Sequence, residues 1–406
     1  MKLRIAFLTA ESVTEGAFDG GLANYLNRIT KGFMSRGHEV EVFSISNKNE
    51  TIENNGIKIH RIIPEAKWYS FTSRFFRKKL SSFRWLFLES YCLYKKFIER
   101  HKEKPFDIVQ VPSYRASGLS IVLRNKLPIT TRISSYRKLS NETHGKERNL
   151  DVRLEEWLEE VVIRRVCRSY APSKYLADKI SSTLHRKIDV LKPSFFIDLD
   201  RSRYDDEFYA KNLKEKKYIL FFGGINKLKG IFILLEALKK VFKENSQINV
   251  VFIGEDVPYK NRNCMEIVKQ ELSEYLNRIY YFKPLPHAIL YPVLMNSEIV
   301  VIPSLVDNIP NTCLEAMAHG CVIVASDGAS LDELIENGKS GFLFKLGDPD
   351  SLAEKLLLAW NLSQEERERI SANAKKAIEK LAPEIAVKEL EDYYVKTIEE
   401  WKKNKL

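Results

Sequence analysis

The chain has 406 residues, 44% of them apolar and 29% charged, which is enough for two domains with cores of their own and excludes disordered and fibrous proteins. Its net charge of +11 is lopsided: residues 1–200 hold 36 Lys and Arg against 23 Asp and Glu, or +13, and the remainder 29 against 31, or −2. An anionic partner is therefore expected for the first half: a membrane surface, a nucleic acid or a phosphorylated substrate.

In chain order, LRIAFLTA reads as a buried strand; it meets glutamate too early for a secretory leader, and no apolar run reaches the roughly 20 residues that span a bilayer. A loop ending in FDGG follows, then a helix from about Leu22 to Ser35 stopped by Gly37, then the strand EVEVFSI. Together they form a strand–helix–strand unit, the building block of a parallel sheet. Residues 67–104 hold 11 Lys and Arg, 3 acids and 11 aromatics. Within them Phe83, Phe87, Tyr91, Tyr94 and Ile98 recur at helical spacing, which predicts a core-facing stripe. The preceding WYSFTSRFFRKKL crowds rings and cations too densely for one buried face and predicts a segment lying at lipid headgroups.

FDIVQV, PITTRI and SYAPS are further strand candidates. After a polar stretch near residues 200–216 the pattern restarts with strand YILFFGG, helix GIFILLEALKKVFKEN, strand INVVFIG and a helix around 264–276. Strands IYYFKP and EIVVIPS follow, then helix 312–319, strand CVIVAS, and helices SLDELIEN and PDSLAEKLLLAWNL. The last helix runs from about Ile385 to Lys402 with a Val387, Leu390, Tyr394 stripe. Two parallel α/β units thus divide near residue 200. Cys92, Cys167, Cys264, Cys313 and Cys321 are scattered and lack metal-ligand spacing, as expected of reduced thiols in the cytoplasm.

Two glycine-rich turns, FDGGLANYL and FFGGINKLKGI, each stand between a strand and a helix. Glycine there lets the backbone approach a ligand, and the helix N-terminus offers N–H groups to an anion. No G-x-x-x-x-G-K-[ST] loop and no G-x-G-x-x-G fingerprint occurs, which argues against ATP hydrolysis and hydride transfer. Lys229, at a helix start, is placed to set a point charge beside a pyrophosphate; Lys227 is a second candidate, for which a solvated role fits better. In PSLVDNIPNTCLEAMAHG, Pro310 presets the first helical turn and Asn311 or Thr312 can cap it. That helix end points out of the carboxyl edge of the sheet, where open α/β sheets bind ligands. Glu315, one turn in, suits a vicinal diol such as ribose, and Asp307, in the loop before, the hydroxyls of a second sugar. A diphosphate between them would face the N–H groups near Asn311 and Thr312, so the constellation matches a nucleotide-sugar.

PSLVDNIPNTCLEAMAHGCVIVASDGASLDELIENGKSGFLF resembles the signature region of the glycosyltransferase family 4 enzymes, in which two acids separated by seven residues precede Ala-Met-Ala. Asp307 and Glu315 occupy those places. GGLANYLNRITKGFMSRGHEVEVFS resembles their N-terminal glycine loop and helix, and FFGGINKLKGIFILLEAL their phosphate-binding turn; YAPSKYLADKI and GFLFKLGDPDSLAEKL fit as well, so nearly the whole chain is covered in order. The resemblance implies an α/β protein of GT-B fold, two Rossmann-like parallel-sheet domains facing a cleft. Residues 1–198 would form the acceptor-side domain and 199–383 the nucleotide-sugar domain, with a C-terminal helix, 384–406, returning to the first. It implies retaining hexosyl transfer, without a metal or other cofactor, from a UDP- or GDP-linked sugar to a glycan or polyprenyl-linked acceptor in cell-surface polysaccharide synthesis. The enzyme would be cytoplasmic and peripheral on the anionic inner face of the membrane.

By the same resemblance Glu315 would hold the ribose, Asp307 contact the donor sugar and Lys229 neutralise the diphosphate, helped by the backbone of Asn311 and Thr312. Gly223, Gly224, Lys227, Asn308 and Pro310 would line the substrate, with Gly20, Gly21 and Arg132 contributing from the first domain. The departing diphosphate would take the acceptor proton, leaving positioning and electrostatic stabilisation to the protein. Three departures stand out. Asp307 replaces the usual glutamate, and Gly224 stands where arginine is frequent, with Lys227 available to compensate. Ser134 and Ser135, two residues beyond Arg132, stand where many members carry histidine. His144, His287 and His319 read as ordinary surface or core residues, and Glu333 matches a recurrent acid of unassigned role. The rival readings are a sugar phosphorylase or nucleotide-sugar epimerase on the same architecture, and a non-catalytic basic adaptor for membrane or nucleic acid. No nucleic-acid motif is present, and no such partner is expected.

Overall fold

The computed structural model describes residues 2–11, 21–69, 80–124, 127–144, 147–197 and 199–404. Its chain divides into two compact units, Met1–Phe195 with Leu381–Leu406, and Phe196–Lys380.

The first unit is built on β1 (Arg4–Thr9), β2 (Glu39–Ile45), β3 (Glu50–Asn54), β4 (Ile57–Ile62), β5 (Ile108–Pro112), β6 (Ile129–Arg132), β7 (Arg168–Ala171) and β8 (Asp189–Val190). They form one sheet in the order β3-β4-β2-β1-β5-β6-β7-β8, parallel except for β3 against β4. β1 is buried along its whole length, as a strand covered on both faces must be, and so reads as a continuous apolar run. One face carries α1 (Gly21–Ser35) and the C-terminal helix Pro383–Lys403, whose Val387, Leu390 and Tyr394 join the same core as Leu26, Ile29 and Phe33. The two helices approach closely at Gly32, where a Cβ would stand 2.4 Å from Val387 Cγ2.

The other face carries α2 (Ser81–Glu103), the short helix Leu119–Val122 and α3 (Leu150–Arg165). The stripe expected on α2 is rotated from its predicted position. Leu86, Leu93 and Phe97 form the deep row, Phe83, Tyr91, Tyr94 and Ile98 flank it half-buried, and Phe87 is 38% exposed. The aliphatic ridge seats the helix on the sheet, which leaves the larger rings at its boundary. Of the segment WYSFTSRFFRKKL, residues 70–79 lie outside the described residues. The β3–β4 hairpin was not anticipated; it turns through Asn55 and Gly56, both at positive φ, the chemistry a tight hairpin needs.

The second unit holds β9 (Tyr218–Phe222), β10 (Asn249–Ile253), β11 (Ile279–Phe282), β12 (Ile299–Ile302), β13 (Ile323–Asp327) and β14 (Phe342–Lys345). All are parallel, in the order β11-β10-β9-β12-β13-β14. The chain starts at the centre, steps outward to β11 and returns to β12 beside β9. Its direction therefore reverses between β9 and β12, the switch point at which such sheets bind ligands. The helices that matter here are α4 (Ile231–Glu244), α5 (His287–Met295) and α6 (Asn311–Ala318). α5 was not anticipated, because Pro292 sits inside it. The helix expected over SLDELIEN does not form. Ala329 and Ser330 both take positive φ, and only a turn follows, closed by the amides of Leu334 and Ile335 on the Leu331 carbonyl.

Candidate functional site

The exit loops of β9 and β12 meet at the switch point. Leu305 N–H donates to the Leu228 carbonyl at 2.8 Å, tying one loop to the other. Gly223, at φ 111°, brings the end of β9 against α6: a Cβ there would lie 3.2 Å from Thr312 Cγ2. Asn226 shapes the turn, its Oδ1 accepting from Lys229 N–H at 3.1 Å. Lys229 Nζ then donates to Asp307 Oδ2 at 2.6 Å, joining residues 78 positions apart. The same carboxylate accepts from Ser304 Oγ at 2.9 Å and from Asn308 N–H at 3.0 Å. The lysine side chain remains 32% exposed, and its ammonium has two further donors. Lys227 lies with Nζ 5.7 Å from the centre of the Tyr259 ring.

Two helices begin here, and no side chain caps either of them. α4 starts at Gly230, whose φ of 76° turns the chain directly after Lys229. α6 starts at Pro310, and neither Asn311 nor Thr312 caps it: Asn311 is already the first helical residue, one position too late to reach back. Cys313 N–H and Leu314 N–H bond the Pro310 carbonyl, while the amides of Asn311 and Thr312 come earlier in the helix than any intrahelical acceptor. Such an end attracts anions. The approach to it is strained. Ile309 is buried at φ 52°, unusual for a β-branched residue, and is held by Ser330 Oγ accepting its N–H at 2.7 Å.

Glu315 lies on α6 among aromatic rings, its side chain 10% exposed and Oε1 3.9 Å from His287 Nε2. His287 stacks on Tyr291 with centroids 5.0 Å apart, and Tyr291 leans on His319 at 4.4 Å. His319 Nδ1 donates to the Glu315 carbonyl at 2.8 Å, and its Nε2 accepts from Tyr204 Oη at 3.2 Å. Burial lowers the His319 pKa, more than the bond to Glu315 raises it, which favours this neutral tautomer. Both histidines read as ordinary in sequence; the structure brings His287, 28 positions away, to the Glu315 carboxylate, while His319, one turn further along the chain, meets its carbonyl. Cys313 is packing rather than chemistry, since complete burial pushes its thiol far up. Among the described residues no cluster of three or more His, Cys, Asp or Glu is arranged to hold a metal.

Of the residues assigned to the first unit, Gly20 lies outside the described residues and Gly21 opens α1. Arg132 ends β6, buried, with its guanidinium carbon 3.9 Å from the centre of the Tyr25 ring. Tyr25 belongs to a buried polar set in which the hydroxyls of Tyr170 and Tyr394 both donate to Gln110 Oε1 at 2.6 Å.

Residues 19–199 match the family model described as Glycosyltransferase Family 4, and residues 204–377 the one described as Glycosyl transferases group 1. The capsular polysaccharide biosynthesis glycosyltransferase CapM of Staphylococcus aureus is 27% identical over 327 residues, covering 76% of this chain and 81% of that protein. Among solved structures, sucrose-phosphate synthase from Thermosynechococcus elongatus aligns with a TM-score of 0.76 at 14% identity, over 97% of this chain and 98% of that one. Anabaena HepE in complex with UDP and glucose aligns with a TM-score of 0.71 at 15% identity, over 97% and 100%. At such identities the solved structures speak for the fold alone, whereas the two family models between them account for most of the chain. The chain belongs to the glycosyltransferases of the family 4 type, with the GT-B fold.

Proposed function

We propose that this glycosyltransferase transfers a hexosyl unit, with retention and without a metal, from a UDP- or GDP-linked sugar to a glycan or polyprenyl-linked acceptor in cell-surface polysaccharide synthesis, working from the cytoplasmic face of the membrane. The observation that carries the donor assignment is the Lys229–Asp307 pair set between two helix N-termini without side-chain caps, with Glu315 one turn further along α6. The diphosphate lies against the first amides of α6 and takes a hydrogen bond from Lys229, whose ammonium has three donors and keeps Asp307 while doing so. Gly223 and Gly224 let the backbone approach it, and Asn308 and Pro310 shape the wall beside it. Glu315 accepts from the ribose hydroxyls, and Asp307 both pins the lysine and faces the sugar. Negative charge that develops on the leaving diphosphate meets donors already in place, which is where the rate enhancement arises. The UDP and glucose held by HepE and the role named for CapM support this reading.

Two measurements test it. Thermal shift across a panel of UDP- and GDP-linked sugars is expected to pick out one base, because a ligand that binds only the folded state raises the midpoint. Glu315→Ala is expected to abolish that shift and lower sugar transfer by about two orders of magnitude. Full turnover in the variant would remove the ribose contact, and an inverted anomeric centre in the product would remove retention.

A further inference from the structure

α3, LDVRLEEWLEEVVIRR, carries five acids and three arginines, so its composition is acidic. Its fold inverts that balance at the surface. Glu155, Glu156 and Glu159 are buried. Arg137 bonds Glu155 at 2.7 Å and Glu159 at 3.2 Å, and Glu156 accepts from Asn141 at 2.9 Å and from Arg148. Asp151 accepts the amides of Ser82 and Phe83, capping α2 at 3.1 and 3.0 Å, and Glu160 accepts from Tyr136 Oη at 2.7 Å. Every carboxylate of the helix is thus committed, and its exposed positions are Leu150, Arg153, Trp157, Arg164 and Arg165.

Ahead of its last turns α2 shows the same asymmetry. Glu89 is buried against Arg115, while Trp85, Phe87 and Lys95 are exposed. Trp68 packs edge-on to Phe87 and Tyr69 to Trp85, each with centroids 5.9 Å apart, and Arg84 lies over Tyr69. Its exposed acids, Glu99 and Glu103, sit in the last turns, paired with Lys96 and Arg100. Among the described residues the first unit exposes seven large apolar side chains, and five of them (Trp85, Phe87, Leu123, Leu150 and Trp157) belong to this one helical layer. Scattered exposure needs no explanation, but a concentration of rings among cations does.

We propose that the outer surface of this layer docks on an anionic phospholipid bilayer, with Trp85, Phe87, Leu150 and Trp157 entering the headgroup region and Arg153, Arg165 and Lys95 facing lipid phosphate, while Arg164 donates to the Leu184 carbonyl at 3.0 Å. The amphipathic rings suit that depth, and the cations are attracted to the negative surface. α2 links β4 to β5 and α3 links β6 to β7, all parallel, so both helices run opposite to the strands. Their first turns therefore stand at the edge where the strands end, which is the ligand edge of an open sheet. Resting on the function proposed above, this makes the acceptor a lipid-linked one, drawn from the bilayer to which that edge is held.

The test is cosedimentation of the full chain with vesicles of phosphatidylglycerol mixed with phosphatidylcholine, and with phosphatidylcholine alone. Binding is expected to the first only, and to weaken as salt rises from about 0.1 to 0.5 M. Trp85→Ala with Trp157→Ala, and separately Arg153→Glu with Arg165→Glu, are each expected to cut partitioning at least about tenfold. All four are exposed positions, and an unchanged melting midpoint checks that the variants fold. Equal binding by variants and parent, equal binding to neutral vesicles, or a change only in oligomeric state would overturn the docking surface. The nucleotide-sugar thermal shift, run on the same samples, separates the two readings. Its loss with vesicle binding intact sinks the donor assignment alone, and its survival without vesicle binding sinks the docking alone.

Discussion

Gly230 stands directly behind Lys229 at φ 76°, and a Cβ on it would lie 1.7 Å from the Pro303 carbonyl oxygen. Alanine there has to adopt a left-handed backbone and also push away the strand end that leads into the Asp307 loop. Gly338 has a φ of 77° but open space around it, so its alanine variant pays only for the backbone, about 1–2 kcal/mol. Gly230→Ala is expected to exceed that by a further ~1–3 kcal/mol in urea titrations, and to weaken nucleotide-sugar binding as well. Equal losses at the two glycines would show that the contact with Pro303 is relaxed at no cost. Beside it, Lys229→Ala leaves Asp307 with its bonds from Ser304 and Asn308, so the fold should hold while transfer falls about 100-fold. Asp307→Asn keeps most of that packing but loosens the lysine, and it should raise the donor KM more than it lowers kcat if the carboxylate only positions.

Elements are held together by buried ion clusters, and one of them predicts a pH dependence. Glu41 on β2 accepts from His60 of β4 at 2.8 Å, from Arg100 of α2 at 3.2 Å, and from Arg4 of β1. Burial by itself would raise its pKa, but these three partners together outweigh burial and hold the carboxyl far below its ordinary value of 4.5. A depressed folded-state value means that the stabilisation is complete above the unfolded pKa and is lost as pH falls below it. Thermal midpoints should therefore drop as pH is lowered through about 4.5 and below, and Glu41→Gln should flatten that limb. At neutral pH the same variant takes one of two carboxylates from buried Arg4, which keeps Glu39 at 3.6 Å and the Lys104 carbonyl, and costs about 1–3 kcal/mol. None of this cluster could be read from its neighbours in sequence, since alternation identifies a strand without naming the partner across it. Regular elements with clean periodicity, such as α1, α4 and β9 to β12, were legible. The β3–β4 hairpin had its signal in Asn55-Gly56 and was passed over, while SLDELIEN has helical spacing that the left-handed pair Ala329 and Ser330 overrides. At the candidate site the acids, the lysine and the glycines stood out by type and spacing. The contact between Lys229 and Asp307, and that of His287 with Glu315, depend on segments that meet only after folding.

Every residue of the candidate donor site, from Gly223 to Glu315, belongs to the second unit, and the C-terminal helix belongs to the first. Each unit also has its own cores. Perturbations of the two should therefore act on separate unfolding transitions, as in chains where two-state behaviour fails at the domain level. Tyr394 stacks on Phe33 at 5.4 Å, is wholly buried and bonds Gln110, so Tyr394→Ala should cost about 3–5 kcal/mol, all of it in the first unit. A nucleotide-sugar at a hundredfold excess over its Kd should add about 2.7 kcal/mol, all of it in the second. The tryptophans allow the two to be told apart: Trp68, Trp85, Trp157 and Trp401 lie in the first unit and only Trp360 in the second. In a Trp360→Phe background, indole fluorescence follows the first unit while calorimetry records both. The expected result is a fluorescence midpoint that falls with Tyr394→Ala and ignores the nucleotide-sugar, beside a second calorimetric peak that does the reverse. A single peak that both changes move together would mean that the two halves unfold as one cooperative body, and that donor binding and the C-terminal helix are energetically linked.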